Sequence, residues 1–204
     1  MINVGVLVGL EKIRESLERA SGHGFKCAQI CSWNTAAFTN EAAREVRDAV
    51  EATGVTVYTF WCGWPGPAAW NFTDGPLTLG LVPETYRYIR TEALLKGVEF
   101  AHKCGINQIA THAGFIPEDL NDSRYAGTLV SLKQIVRACR KNDMHFLFET
   151  GQETPTTLLR TIEDLGGDNV GINFDTGNLI LYGKGNPVDA LDVFGQYVRD
   201  FHCK

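Results

Sequence analysis

Three residues that can bind a metal ion or transfer a proton each end a mainly apolar run in the C-terminal half of this sequence. They are Glu149, Asp175 and His202, and they are spaced 26 and 27 residues apart. A turn, a helix and a second turn fit into each interval, so the three runs are predicted to be successive parallel strands. The carboxyl ends of the strands in a parallel barrel lie on one face. The spacing therefore predicts that the three side chains converge on one site.

Each of these residues also has an ordinary structural explanation. A carboxylate after a strand often caps a helix or forms a turn, and Asp175, in Asp-Thr-Gly-Asn, fits that role. Glu149 is harder to explain in this way, because a carboxylate that closes a run as apolar as Phe-Leu-Phe needs a partner for its charge. Their common register favours one functional site over three unrelated structural roles.

Composition and charge restrict the class of protein. The 204 residues are 44% hydrophobic and 21% charged, as in an ordinary soluble protein, and we predict a single domain spanning 1–204. A formal net charge of −5 argues against a nucleic-acid partner. The sequence shows neither a signal-peptide pattern nor an apolar stretch of membrane-spanning length, so we expect a cytoplasmic protein with no membrane partner. Six scattered cysteines without Cys-x-x-Cys spacing argue against a zinc cage.

Strand and helix patterns alternate seven times along the chain, which predicts an α/β fold with a parallel sheet. Asn40 is the predicted N-cap of the second helix, and Gly54 and Gly105 are predicted helix stops. Functional-looking residues close several strands rather than one switch point, which favours a barrel over a doubly wound sheet. The predicted strands span 2–8, 25–30, 55–60, 106–111, 144–149, 169–174 and 198–202.

Aromatic residues cluster in a long loop predicted from Trp61 to Pro83, which also carries Trp64 and Trp70. A loop of this length in a compact domain is usually functional. The tryptophans could form the wall of a pocket, because sugar rings stack on aromatic side chains. They could equally cover the rim of the barrel, and the sequence leaves both alternatives open.

Two further residues follow predicted strands on the face where a site would form. Trp33 comes after the second strand, and His112 closes the fourth. Both are candidates for substrate contact. For His112 the alternatives are a metal ligand or an ordinary loop histidine.

Four motifs carry a resemblance to a known family. They are Thr-His-Ala-Gly-Phe-Ile-Pro (111–117), Phe-Glu-Thr-Gly-Gln-Glu-Thr (148–154), Asn-Phe-Asp-Thr-Gly-Asn (173–178) and Asp-Phe-His-Cys-Lys (200–204). In order and spacing they resemble the sugar isomerase/epimerase family, the xylose-isomerase-like barrels. The resemblance implies a (β/α)8 TIM barrel. It also implies one divalent metal ion bound by a Glu, an Asp and a His after strands five, six and seven, which are Glu149, Asp175 and His202 here.

The resemblance further implies isomerase or epimerase activity on a small polyhydroxy carbonyl substrate, with Glu149 as a catalytic proton-transfer residue. Carboxylates with one imidazole favour Mn²⁺ or Mg²⁺, with Co²⁺ or Zn²⁺ as alternatives. Two departures from the family pattern matter. Asn178 stands where the family often has a histidine, and we predict that it binds substrate and that the site holds at most one metal ion. The eighth strand and its Glu are absent from the sequence, so we expect a barrel that lacks its last strand unit and needs it for activity.

Several rival functions remain to be weighed. An endonuclease of the same fold would use several zinc ions and more histidines than the five present. Asp175-Thr176-Gly177 matches aspartic proteases, but those proteins are all-β. A lyase resembling inosose dehydratase, or a barrel that binds ligand without catalysis, stays open. The sequence does not fix the oligomeric state, and a homo-oligomer stays open as well.

Overall fold

The computed structural model describes residues 3–204, and its sheet contains seven parallel strands. The strands are hydrogen-bonded to one another in sequence order from first to last. A doubly wound sheet would change direction at a switch point, so the barrel arrangement is confirmed over that rival. The strands are β1 (Gly5–Gly9), β2 (Cys27–Ser32), β3 (Thr56–Cys62), β4 (Gln108–Thr111), β5 (His145–Glu149), β6 (Val170–Asp175) and β7 (Val198–His202).

The sheet is curled, as contacts between side chains of distant strands show. The Gln29 amide on β2 donates to the Asn173 oxygen on β6 over 3.1 Å, and the Thr59 hydroxyl on β3 donates to Asp200 on β7 over 2.6 Å. Flat sheets cannot bring together strands that are four positions apart. The interior also holds a small apolar cluster of Trp61, Ala110 and Leu147.

Helices cover the outer face of the sheet, and successive long helices contact each other around it. The large apolar core lies between this helical layer and the strands. None of the helices in the described part of the chain is long and apolar enough to span a membrane. The helices are α1 (Ile13–Gly22), α2 (Asn40–Thr53), α3 (Gly75–Thr78), α4 (Glu84–Cys104), α5 (Ser123–Lys141), α6 (Pro155–Leu165), α7 (Thr176–Leu181) and α8 (Pro187–Phe194).

Most predicted boundaries agree with these elements to within two or three residues, but some differ. Thr39, not Asn40, caps α2, because its hydroxyl accepts the Ala42 N–H over 3.1 Å. The predicted stops at Gly54 and Gly105 are confirmed, with φ of 67° and 78°, a region that favours glycine.

The third strand and the loop after it also differ from expectation. Trp61 belongs to β3, so the loop begins two residues later than predicted, and it includes the short helix α3. The short helix α7, which begins at Thr176, was not predicted. Ile2, where the first predicted strand starts, lies outside the described residues.

Candidate active site

Glu149, Asp175 and His202 lie together at the carboxyl ends of β5, β6 and β7. One potential ligand atom from each residue lies within 4.8 Å of the others. The Glu149 Oε1 atom is 2.5 Å from Nδ1 of His202, and Oδ2 of Asp175 is 3.6 Å from the same nitrogen. Both carboxylates are buried. The convergence that the spacing predicts is therefore present in the structure, and we call these three residues the ligand side of the site.

Asp175 serves the fold and the site with different oxygens. Its Oδ1 atom accepts the backbone N–H of Asn178 over 2.9 Å, which caps the start of α7. Its Oδ2 atom is buried and faces His202 instead. The capping role that the sequence offered as an alternative is therefore real, and it leaves one oxygen available for chemistry.

Glu149 is held by a polar network that crosses the barrel interior. Asn173, two residues before Asp175 on β6, donates its amide N–H to Oε2 of Glu149. Gln29 on β2 in turn donates to the Asn173 oxygen, which fixes the direction of the Asn173 amide. As a result Oε2 is already partnered, and Oε1 is the oxygen that faces the other two ligand-side residues.

The pKa values of Glu149 and His202 depend on each other. Burial raises the pKa of Glu149, and the hydrogen bond from His202 partly offsets that rise. The pKa of His202 is raised above its usual value, chiefly by its hydrogen bond to Glu149. The imidazolium and the carboxylate therefore stabilise each other's charge.

Lys204 contacts the ligand side, and the sequence did not predict this contact. Its ammonium nitrogen lies 2.9 Å from Asp175 Oδ2 and donates a hydrogen bond of 2.6 Å to the side-chain oxygen of Asn178. The Asn178 amide nitrogen donates to the backbone oxygen of Thr150 over 3.1 Å. Asn178 is therefore fixed with its oxygen directed at a lysine.

An aromatic surface faces the ligand side across a cavity of about 250 Å³. Trp33 contacts Trp61 and Trp70, with ring centroids 5.2 and 6.1 Å apart, and His112 lies 5.0 Å from Trp70. We call these four residues the aromatic side. The cavity is lined by Leu7, Cys31, Trp33, Trp61, Trp70, His112, Glu149, Asp175, Asn178, His202 and Lys204.

The tryptophans of the predicted loop divide between the two roles that the sequence left open. Trp61 and Trp70 line the cavity, whereas Trp64 is buried beneath Trp33 with their centroids 4.9 Å apart. Gly63 permits this packing, because a Cβ atom there would lie 2.5 Å from the Trp33 ring.

Arg90 on α4 organises the loop after β3, which carries Trp64 and Trp70. This fully buried guanidinium donates to the backbone oxygens of Pro65, Pro67 and Gly80 over 2.7–3.0 Å. Its Cζ atom also lies 4.0 Å from the centroid of the Trp64 ring. Arg90 therefore holds the loop through three carbonyl groups and one aromatic face.

His112 lies on the aromatic side as a neutral imidazole. Burial, with a smaller contribution from the Lys204 charge, lowers the pKa of His112 to about 3. Its Nδ1 atom is buried and has no hydrogen-bond partner among the described residues. The ring lines the cavity, and a neutral imidazole can accept one hydrogen bond and donate another.

Sequence reasoning missed Asn173, Gln29, Lys204 and Arg90. The first and third could have been found from strand geometry, because side chains at i and i+2 share a face. Asn173 is two residues before Asp175, and Lys204 is two residues after His202. No sequence signal identifies Gln29 or Arg90, because their partners lie on distant elements.

The donor set fits a divalent cation. Two carboxylates and one imidazole suit hard or borderline ions such as Mg²⁺ and Mn²⁺ better than ions that prefer thiolates. Asp175 Oδ2 is a buried anionic oxygen that already attracts a cation, because the Lys204 ammonium lies 2.9 Å from it.

The comparisons with known proteins agree with this architecture. The sequence profile of the xylose isomerase-like TIM barrel family matches residues 17–204. The crystal structure of a xylose isomerase domain protein from Planctomyces limnophilus is 30% identical, with a TM-score of 0.91, and the match covers 98% of this chain and 71% of that one. A comparison with curated protein sequences finds no match.

Two more distant solved structures share the fold. D-psicose 3-epimerase from Clostridium cellulolyticum H10, crystallised with D-tagatose, is 12% identical with a TM-score of 0.72, and the match covers 98% of this chain and 73% of that one. The probable 3-DHS dehydratase of petrobactin synthesis from Bacillus anthracis is 14% identical with a TM-score of 0.69, over 98% and 72% of the two chains. At these identities the likeness concerns the fold alone.

Proposed function

Because this chain belongs to the xylose isomerase-like TIM-barrel family, we propose that it is a divalent-metal-dependent isomerase or epimerase that moves a proton beside a ketose carbonyl. The observation that carries the proposal is the meeting of Glu149, Asp175 and His202 within 4.8 Å at the mouth of the barrel. These three residues would hold the ion, with Mn²⁺ or Mg²⁺ favoured over Co²⁺ or Zn²⁺.

Glu149 is the proposed proton-transfer residue. A bound divalent ion would supply Lewis-acid polarisation of the substrate carbonyl, which acidifies the neighbouring C–H. A divalent ion on Glu149 would oppose the rise in pKa that burial causes, so the carboxylate would be ionised and able to accept the proton. The Asn173 amide holds Oε2, so the orientation of the carboxylate is fixed before substrate arrives.

The remaining cavity residues are proposed to bind the substrate. Trp33 and Trp61 offer flat apolar faces for the C–H side of a sugar, and such contacts favour carbohydrate ligands. His112 and Asn178 offer polar atoms for its hydroxyl groups. A small polyhydroxy carbonyl compound presents both kinds of surface.

The test is hydrogen exchange observed by proton NMR in D₂O. D-psicose and D-tagatose are the first substrates to assay, because solved neighbours of this fold act on such ketoses. We expect loss of the signal of the proton beside the carbonyl with Mn²⁺ or Mg²⁺ present, and no loss after chelation. Glu149→Gln should abolish exchange, whereas Glu45→Gln, an exposed control on α2, should not. Exchange that survives chelation would refute the metal-dependent mechanism.

A dehydratase remains the second candidate. Removal of a proton beside a carbonyl is also the first step in eliminating a hydroxyl group from the next carbon, so the same Glu149 geometry supports it. The NMR experiment separates the two, because elimination gives a new vinyl or methylene signal, whereas epimerisation gives a second sugar with the same atoms.

A further inference from the structure

Lys204 is held in the cavity by more than one contact. Its ammonium nitrogen is 2.9 Å from Asp175 Oδ2 and 2.6 Å from Asn178 Oδ1. Its aliphatic stem crosses the backbone at Gly177, where an added Cβ atom would lie 3.1 Å from Lys204 Cγ and 3.2 Å from Cε. The lysine therefore lies in a groove formed by the first turn of α7 rather than free in solvent.

Both polar anchors of Lys204 are rigid. Asp175 is fixed by its cap to the Asn178 backbone, and the Asn178 amide is fixed by its bond to the Thr150 carbonyl. Asp175 and Asn178 are both buried. An ammonium group carries three donors, and one is used by Asn178 while Asp175 provides an ion-pair partner. At least one N–H therefore remains for a molecule in the cavity. The Lys204 side chain lines this cavity and is about half exposed.

The position of this charge relates directly to the proposed reaction. Lys204 and Glu149 line the same cavity, where Lys204 contacts Asp175 and Glu149 contacts His202. Removal of a C–H proton by Glu149 leaves the electron pair of that bond on the substrate, where it forms a carbon–carbon double bond as the carbonyl oxygen becomes negative. A fixed N–H donor beside that oxygen stabilises the transition state.

We propose that Lys204 is a further catalytic residue, which donates a hydrogen bond to the substrate oxygen that becomes negative as the proton leaves. The assignment rests on the proposed function. The same ammonium places a positive charge beside the ligand side, so it also weakens binding of a divalent cation there and disfavours a second one. Lys204 therefore exerts opposite effects on metal binding and on catalysis.

These opposite effects give the test. Mn²⁺ binding is measured by calorimetry on the metal-free protein, and hydrogen exchange into a ketose is measured at saturating Mn²⁺. The variants are Lys204→Met, which keeps the stem and removes the charge, and Lys204→Arg, which keeps the charge. Lys26→Met, an exposed lysine before β2 at the opposite end of the barrel, is the matched control.

We expect Lys204→Met to bind Mn²⁺ several-fold more tightly and to exchange at least tenfold more slowly, because one preorganised donor can contribute a factor of about 100 to 1,000. Lys204→Arg should recover part of the exchange rate, and Lys26→Met should match the unmodified protein in both measurements.

Unchanged exchange by Lys204→Met at saturating Mn²⁺ would overturn the assignment, because the lysine would then only fill the space of the metal. Weaker Mn²⁺ binding together with slower exchange would also overturn it, since that pattern indicates damage to the ligand side. If the unmodified protein showed no metal-dependent exchange, the proposed function itself would fail. This failure differs from a failure of the Lys204 assignment, because it appears in the protein without any substitution.

Discussion

The two sides of the cavity are built in different ways. The ligand side comes from consecutive strand ends, and its residues are connected by short polar contacts such as that of Glu149 with His202. The aromatic side comes from β3, from segments after β2 and β4, and from a long loop held by Arg90. Strand ends in a sheet have little positional freedom, whereas a loop can be adjusted. Under the proposed function, the reaction chemistry would lie on the rigid side and substrate selection on the adjustable side.

The largest expected effect comes from removing a ligand-side carboxylate. Asp175→Ala should weaken Mn²⁺ binding by at least about 100-fold, since loss of groups that merely support metal ligands already costs about 10- to 100-fold. Calorimetric titration of metal-free protein measures this. Asp189→Ala, an exposed aspartate on α8, is the control. Near-normal Mn²⁺ affinity in Asp175→Ala would mean that the ion binds elsewhere.

A second prediction tests whether the two sides are independent. Arg90→Met leaves three carbonyls without their donor, among them the buried carbonyl of Gly80, and should lower the free energy of unfolding by about 3 kcal/mol. For a chain of this length that corresponds to a drop in Tm of roughly 6–12 °C. Mn²⁺ affinity of the folded protein should stay unchanged.

The contrary result for Arg90 is equally informative. If Arg90→Met lowered the free energy of Mn²⁺ binding by as much as it lowered the free energy of unfolding, the division into two sides would be wrong. Lys103→Met, an exposed lysine on the same helix, controls for the loss of a positive charge on α4.

The third prediction concerns pH and applies to the ligand side alone. Metal binding needs the unprotonated imidazole of His202, and its hydrogen bond to Glu149 raises the pKa of that imidazole. Protons therefore compete as the pH falls through this raised pKa, and apparent Mn²⁺ affinity should fall by up to about tenfold per pH unit below it. Above the raised pKa His202 should cause no further change. Titrations between pH 8 and about 5.5 measure the effect, and a flat profile would exclude His202 as a ligand.

The smallest expected effect is on the aromatic side. Trp70→Ala should raise the KM for a ketose roughly 2- to 12-fold, the equivalent of an aromatic contact of about 0.5–1.5 kcal/mol, while leaving kcat and Mn²⁺ affinity close to normal. Trp70→Phe keeps an aromatic face, so its KM should lie between that of the unmodified protein and that of Trp70→Ala. A large fall in kcat with constant KM would instead assign Trp70 to the chemistry.

The local pattern of the sequence determined the strand–helix alternation, the helix stops at Gly54 and Gly105, and the positions of Glu149, Asp175 and His202 at strand ends. These features depend on neighbouring residues and on a regular repeat length, so they can be read along the chain. The spacing of the three strand ends, together with the rule that parallel strand ends share one face, was enough to predict their convergence.

The tertiary structure alone decided which distant residues complete the site. Curling of the sheet brings Gln29 to Asn173, and packing of a long loop against α4 brings Arg90 to the Trp64 ring. The tertiary structure also decided that Trp61 and Trp70 line the cavity, whereas Trp64 is buried. These contacts join residues far apart in sequence, and their geometry depends on sheet curvature and loop path, which no local periodicity encodes.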